Sequence, residues 1–185
     1  PEFTNLRNIN FIKTESSGKD LAILCGYTTR VWDASAVEEG IGGSEEAVIN
    51  LAKRWVKEGW NVIVYNNCGH ETKLMDGVVY APFWTWNYRD KQDVTILWRH
   101  PKMLDFEINS TKIFVDLHDV IKAGEFNEKR LAKVDKIFVK SNAHRILFPN
   151  IPDDKFVIVP NGIVWADFET PVEKDPYLLV NTSSP

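Results

Sequence analysis

Several residues in this sequence are of types, and in places, that could do chemistry. His118-Asp119 follows the apolar run Ile113 to Leu117, and Arg99 follows Val94 to Trp98, so each polar group stands just past a strand-like segment. Gly40-Ile41-Gly42-Gly43-Ser44-Glu45-Glu46 is a glycine-rich turn, and Trp84 and Trp86 lie in an aromatic segment, Phe83 to Tyr88. A strand-end histidine can bond a hydroxyl or move a proton near neutral pH, or it is a satisfied structural residue. Asp119 either fixes the tautomer of that imidazole or caps the segment that follows. Arg99 carries a fork of donors suited to a phosphate or an acidic acceptor, or it makes a surface salt bridge. Trp84 and Trp86 offer flat aromatic faces to a ligand, or they fill the core. His70, His100 and His144 lack metal-ligand spacing, and no metal is expected.

These groups need elements to hold them. The glycine turn runs into a helix with an apolar stripe of Ala47, Val48, Leu51, Ala52, Trp55 and Val56. Gly43 or Ser44 caps its start, Glu45 and Glu46 occupy the first turn, and Gly59 ends it. Glycines in front of a helix let a phosphate, a sugar hydroxyl or a carboxylate approach the free N–H donors; the other possibility is a turn closed for packing alone.

Apolar strands are expected at 20–26, 60–65, 78–83, 94–98, 113–117, 136–139 and 156–159. A weak helix is expected at 125–132, and a short Ser141-capped helix through Phe148. Continuous apolar strands alternating with helices give an α/β, Rossmann-like, mainly parallel sheet with helices on both faces. Ligands of such sheets gather at the carboxyl ends of strands, so the glycine turn, Arg99 and His118 should share one rim.

The 185 residues are 44% hydrophobic, enough for a real core, and the net charge of −4 offers no basic field for nucleic acid or anionic membrane. Cys25 and Cys68 show neither C-x-x-C nor zinc spacing, which fits a reducing compartment and buried thiols. No apolar run approaches the roughly 20 residues that span a bilayer, and no signal-peptide core is present, so a cytoplasmic protein without a membrane span is expected. Residues 1–19 read as a leader in which Pro1-Glu2-Phe3 has the look of a cloning scar, and Phe11 and Ile12 suggest an edge strand. Residues 20–163 are expected to form the Rossmann-like domain, 164–176 a linker, and 177–185 the first strand of a second domain that is cut off.

The turn fails the common nucleotide motifs. Glu45 stands where a dinucleotide fingerprint needs its third glycine, and a P-loop lysine is missing, so neither NAD nor ATP is expected there. A different resemblance covers nearly the whole chain after the leader. Gly40 to Val48, Trp60 to Tyr65, Trp98-Arg99, Leu117-His118-Asp119-Val120, Val134 to Ile137, Pro160-Asn161-Gly162-Ile163 and Tyr177 with Thr182-Ser183-Ser184-Pro185 together resemble the N-terminal half of a retaining GT-B glycosyltransferase, of the group 1 or family 4 type.

That resemblance implies an incomplete hexosyltransferase-type enzyme whose C-terminal domain carries most of the donor pocket and a pair of glutamates. It implies a UDP- or GDP-sugar as co-substrate, no cofactor, and a glycan or other hydroxyl acceptor. It places His118 near the donor sugar as the catalytic residue and Gly42 and Gly43 at the donor diphosphate. Arg99, Trp84 and Trp86 become acceptor or phosphate contacts, and Asp119 the orienting carboxylate. The other class to weigh is a non-catalytic α/β domain that binds carbohydrate or protein; a nucleotide-sugar-modifying dehydrogenase or epimerase is disfavoured by the missing fingerprint.

Overall fold

The computed structural model describes residues 18–163 together with 165, 169, 170, 173 and 175–178. Among the described residues eight strands form one sheet: β1 (Asp20–Leu24), β2 (Asn61–Asn66), β3 (Lys73–Met75), β4 (Val78–Pro82), β5 (Gln92–Trp98), β6 (Ser110–Asp116), β7 (Lys136–Val139) and β8 (Phe156–Ile158). Four α-helices among the described residues accompany them: α1 (Ala36–Glu39), α2 (Gly43–Lys57), α3 (Glu128–Lys133) and α4 (Asn142–Ile146). The spatial order is β3-β4-β2-β1-β5-β6-β7-β8, and every pairing is parallel except β3 with β4. The fold is therefore the expected Rossmann-like α/β arrangement.

Register follows from alternate burial. Leu21, Ile23 and Cys25 face one core with α2, Val62, Val64 and Tyr80, while Ala22 and Leu24 face the other with Leu97, Val115, Ile137 and Phe148. Both faces of β1 are dry, which is why its sequence is a continuous apolar run rather than an alternation. From β1 the chain passes through α2 to β2 on one side; it later resumes at β5 on the other. This reversal at β1 and β5 leaves a crevice beyond their carboxyl ends, where the loops part to opposite faces.

Local chemistry differs from expectation at several points. The N-cap of α2 is Gly42, with no side-chain cap, rather than Gly43 or Ser44, while Gly59 does end the helix at φ 83°. The buried line of α2 is Val48, Ile49 and Ala52, and Leu51, expected to be central, is 40% exposed. The helix packs against β2 and β4, so it rolls Ile49 onto the sheet and turns Leu51 towards the uncovered flank. Asp76 and Gly77 both have positive φ and form a two-residue turn closing the β3–β4 hairpin, which adds a strand that apolar patterning did not show.

The loop after β1 contains α1 and buries Trp32 at 2% exposure, edge-on to Tyr80 at 6.4 Å. The weak helix expected at 125–132 resolves into a 3₁₀ turn and α3, and Ser141 caps α4 by accepting from the His144 N–H. Tyr177, expected to open a strand, lies in a turn and is 92% exposed, its N–H bonded to Asp175. The leader's suggested strand at Phe11 and Ile12, most of the second-domain segment 177–185 and part of the linker fall outside the described residues.

Candidate functional site

The first turn of α2 lies at the crevice. Gly42 is extended at its N-cap, and the Glu45 side chain folds back over it: a methyl on Gly42 would stand 2.6 Å from Glu45 Oε2. Glu45 Oε2 also accepts from Ser44 Oγ at 2.7 Å. A carboxylate thus sits on the positive end of the helix, where unpaired N–H groups and the dipole favour it. The preceding turn is held by Arg30, which donates to the Gly40 carbonyl and reaches Glu39 at 3.3 Å.

Arg99 joins this turn to the ends of β5 and β6. Its backbone has φ 66°, a left-handed conformation unusual for a non-glycine residue, and its N–H donates to the Asp116 carbonyl at 2.9 Å. The guanidinium lies over the Trp98 ring at 4.1 Å and donates through Nη2 to Ser44 Oγ at 2.6 Å. It pairs with Asp119 at 2.8 Å and with Glu45 at 3.6 Å. The Asp119 contact is close but misaligned, so Nε is ion-paired without a directed hydrogen bond. Arg99 is therefore already neutralised by two carboxylates.

Behind it lies a chain of three side chains. Asp116, at the end of β6, is 8% exposed, and its two oxygens have different partners: Lys140 Nζ at 2.6 Å on Oδ1 and His118 Nε2 at 3.1 Å on Oδ2. Burial works to raise the Asp116 carboxyl, but hydrogen bonds from His118 and Lys140 outweigh it and hold the group below its ordinary value. Since an ionised carboxylate only accepts, the His118 proton must lie on Nε2. The imidazole is 4% exposed, packed 5.8 Å from the Trp98 ring, so it can offer only an edge to a ligand. Nearby, burial and the Arg99 charge push His100 down, and burial pushes the Cys25 thiol well up, leaving it inert.

A cleft of about 570 Å³, within the size range of small-molecule sites, opens beside Asp116, Lys140 and Trp98, with His118 and Arg99 outside its lining. Leu51 and Trp55 of α2 and Ile96 and Phe138 of the sheet give it apolar walls, and Asp116 and Lys140 stand among its polar groups. Around the site, Arg99 and Lys140 face Glu45, Glu46, Asp116 and Asp119, so carboxylates outnumber cations two to one. Among the described residues no group of three or more His, Cys, Asp or Glu side chains is placed to hold a metal ion.

Gly42, Gly43, Arg99, His118 and Asp119 thus come together as the sequence suggested. Their partners differ: the carboxylate on the imidazole is Asp116, and Asp119 pairs instead with Arg99, because Asp116 and His118 lie two residues apart on the same side of the β6 line. Trp84 and Trp86 follow β4. Trp86 packs on Phe106 and Tyr88 against the second core, and Trp84 packs on Phe83 and His70. Asp116 and Lys140 were not singled out by sequence, and Ser44 was named only as a helix cap, not as a partner of Arg99. The signal for Asp116 was present: a charge inside the apolar run IFVDL must find a partner when that strand is buried.

No family model, no curated protein and no solved structure matches this chain. Among the described residues no helix is long and apolar enough to cross a membrane.

Proposed function

We propose that this chain is the acceptor-side domain of a retaining glycosyltransferase that moves a sugar from a UDP- or GDP-sugar to a glycan or other hydroxyl acceptor, a second domain supplying most of the donor pocket. The observation that carries this is the convergence of the α2 turn, Arg99 and the Asp116-bound His118 at the crevice beyond β1, β5 and β6, beside a cleft of ligand size. In such a transfer the acceptor oxygen bonds to the anomeric carbon as the bond to the diphosphate breaks, and the acceptor proton leaves with the diphosphate oxygen.

His118, with its proton directed at Asp116, can accept from a hydroxyl through Nδ1. The surplus of carboxylates favours the positive charge that grows on the anomeric carbon. The Gly42-Gly43 turn and Arg99 meet the diphosphate once Glu45 swings away from Gly42. Both cysteines are free and buried, which supports a reducing, cytoplasmic setting.

One observation favours a second reading, a carbohydrate-binding domain without chemistry: Arg99 is neutralised by Glu45 and Asp119. Full-length protein carrying this chain separates the two. Release of nucleoside diphosphate from a panel of UDP- and GDP-sugars, lost in His118→Ala with unchanged circular dichroism, supports transfer. Binding of oligosaccharide with no donor turned over supports the second reading and defeats the first.

A further inference from the structure

Lys140 has no role in the site as read from sequence, yet it is the group that completes its buried chain. It stands just past β7, its side chain 18% exposed, and its ammonium bonds the Asp116 oxygen that His118 does not use. Asp116 therefore has two possible sources of positive charge, a lysine and an imidazole, and needs one. The other titratable or charged groups on the surrounding elements are Arg99 and His100 past β5, Glu45 and Glu46 on α2, Asp119 after β6, the Cys25 thiol past β1, and His144 of α4, whose ring accepts from the Lys140 backbone N–H at 3.5 Å rather than meeting its ammonium. Arg99 is occupied by Glu45, Asp119 and Ser44, and its contact with Asp116 runs from its backbone N–H to the Asp116 carbonyl rather than to the carboxylate.

We propose that Lys140 is a positioning residue: by supplying the counter-charge of Asp116 it leaves His118 a neutral imidazole, protonated on Nε2, with the Nδ1 lone pair kept for a hydroxyl. The ammonium at 2.6 Å satisfies the carboxylate, so the imidazole need not take a second proton. Without Lys140 the buried carboxylate would have only the imidazole to balance it and would draw a proton onto Nδ1. An imidazolium has no acceptor nitrogen and could not receive an O–H. The ligand chemistry that follows is an uncharged hydroxyl donor at His118, not an anion. The purpose assigned to Nδ1 rests on the glycosyltransferase reading, whereas the protonation state is measurable without any substrate.

The test is long-range ¹H–¹⁵N NMR of the 185-residue chain at neutral pH, with the His118 ring nitrogens assigned by comparison with His118→Gln. The wild type should show one protonated and one unprotonated nitrogen in the Nε2–H pattern. In Lys140→Met the two nitrogen signals should converge to the imidazolium position, and Lys140→Arg should restore the neutral pattern. Lys140→Gln keeps a donor beside Asp116 while removing the charge, and gives the same reading if the methionine variant does not fold. A wild-type imidazolium or Nδ1–H tautomer overturns the proposal. So does a neutral, unshifted His118 in a folded charge-removing variant. Failure of donor turnover with the expected NMR pattern would count against the glycosyltransferase reading alone.

Discussion

Removing the charge of Asp116 should be among the most damaging single changes at this site. Asp116 and Lys140 have side chains only 11% and 18% exposed, so neither charge is well hydrated, and Asp116→Asn would leave the ammonium without its carboxylate. Breaking a buried pair from one side costs about 3–5 kcal/mol; the partial exposure of Lys140 places the expected loss near the lower end, about 3 kcal/mol. Lys140→Met should cost less, because the His118 imidazole still bonded to Asp116 can take up a proton and balance the carboxylate. Because both changes break the same contact, the double variant should be less destabilised than the sum, with a coupling of about 1–3 kcal/mol.

The exposed Arg54–Glu58 pair, with side chains 71% and 56% exposed, is the internal control, and Glu58→Gln should lie within about 0.5 kcal/mol of wild type. Urea unfolding followed by tryptophan fluorescence measures all four variants, with an unchanged m-value as the condition for comparing midpoints. The sign of the pH dependence is set by the lowered Asp116 carboxyl: its stabilisation is present above the unfolded value of about 3.9 and is lost as pH falls through the lower folded value. The gap between wild type and Asp116→Asn should therefore be full at pH 6 and shrink below pH 4. A loss under 1 kcal/mol, strict additivity in the double variant, or a gap that widens in acid would each refute the view of Asp116 as a paired, ionised, buried group.

Two further outcomes concern the turn and the strained arginine. Gly42→Ala should cost about 1 kcal/mol in urea unfolding, because its methyl meets Glu45 Oε2 at 2.6 Å; in a Glu45→Ala background the cost should largely vanish, since Gly42 has negative φ and no other close neighbour. At position 99 glycine should be more stable than alanine by about 1 kcal/mol in the same measurement, because both lose the guanidinium contacts and only alanine keeps the penalty of φ 66°.

Much of the fold was legible because the dominant signal was strong. The runs around Leu21, Val62, Ile96, Val115 and Ile137 are apolar at successive positions, and such runs settle only between two covered faces, which implies a parallel sheet. The β3–β4 hairpin was missed although Asp76-Gly77 announces it, because Lys73-Leu74-Met75 is a short edge strand with little burial. The roll of α2 was not readable: its apolar positions span more than one face, and only the placement of β2 and β4 beneath it decides that Ile49 is covered and Leu51 is not.

For the site, sequence by itself determined which groups stand at strand ends and at the start of α2: Gly42 and Gly43, Arg99, His118 and Asp119. This follows because strand termini and helix caps are written in local residue order. Tertiary structure alone decided their partners. Lys140 lies 24 residues from Asp116, and Ser44 lies 55 from Arg99, and each pair meets only because β5, β6 and β7 are neighbours whose ends align beside the first turn of α2. The same geometry decided the electrostatics. Local order suggested an open anion site at the glycine turn, whereas the folded chain lays the Glu45 carboxylate over it, because a nearby acid fills the helix terminus at no cost in association.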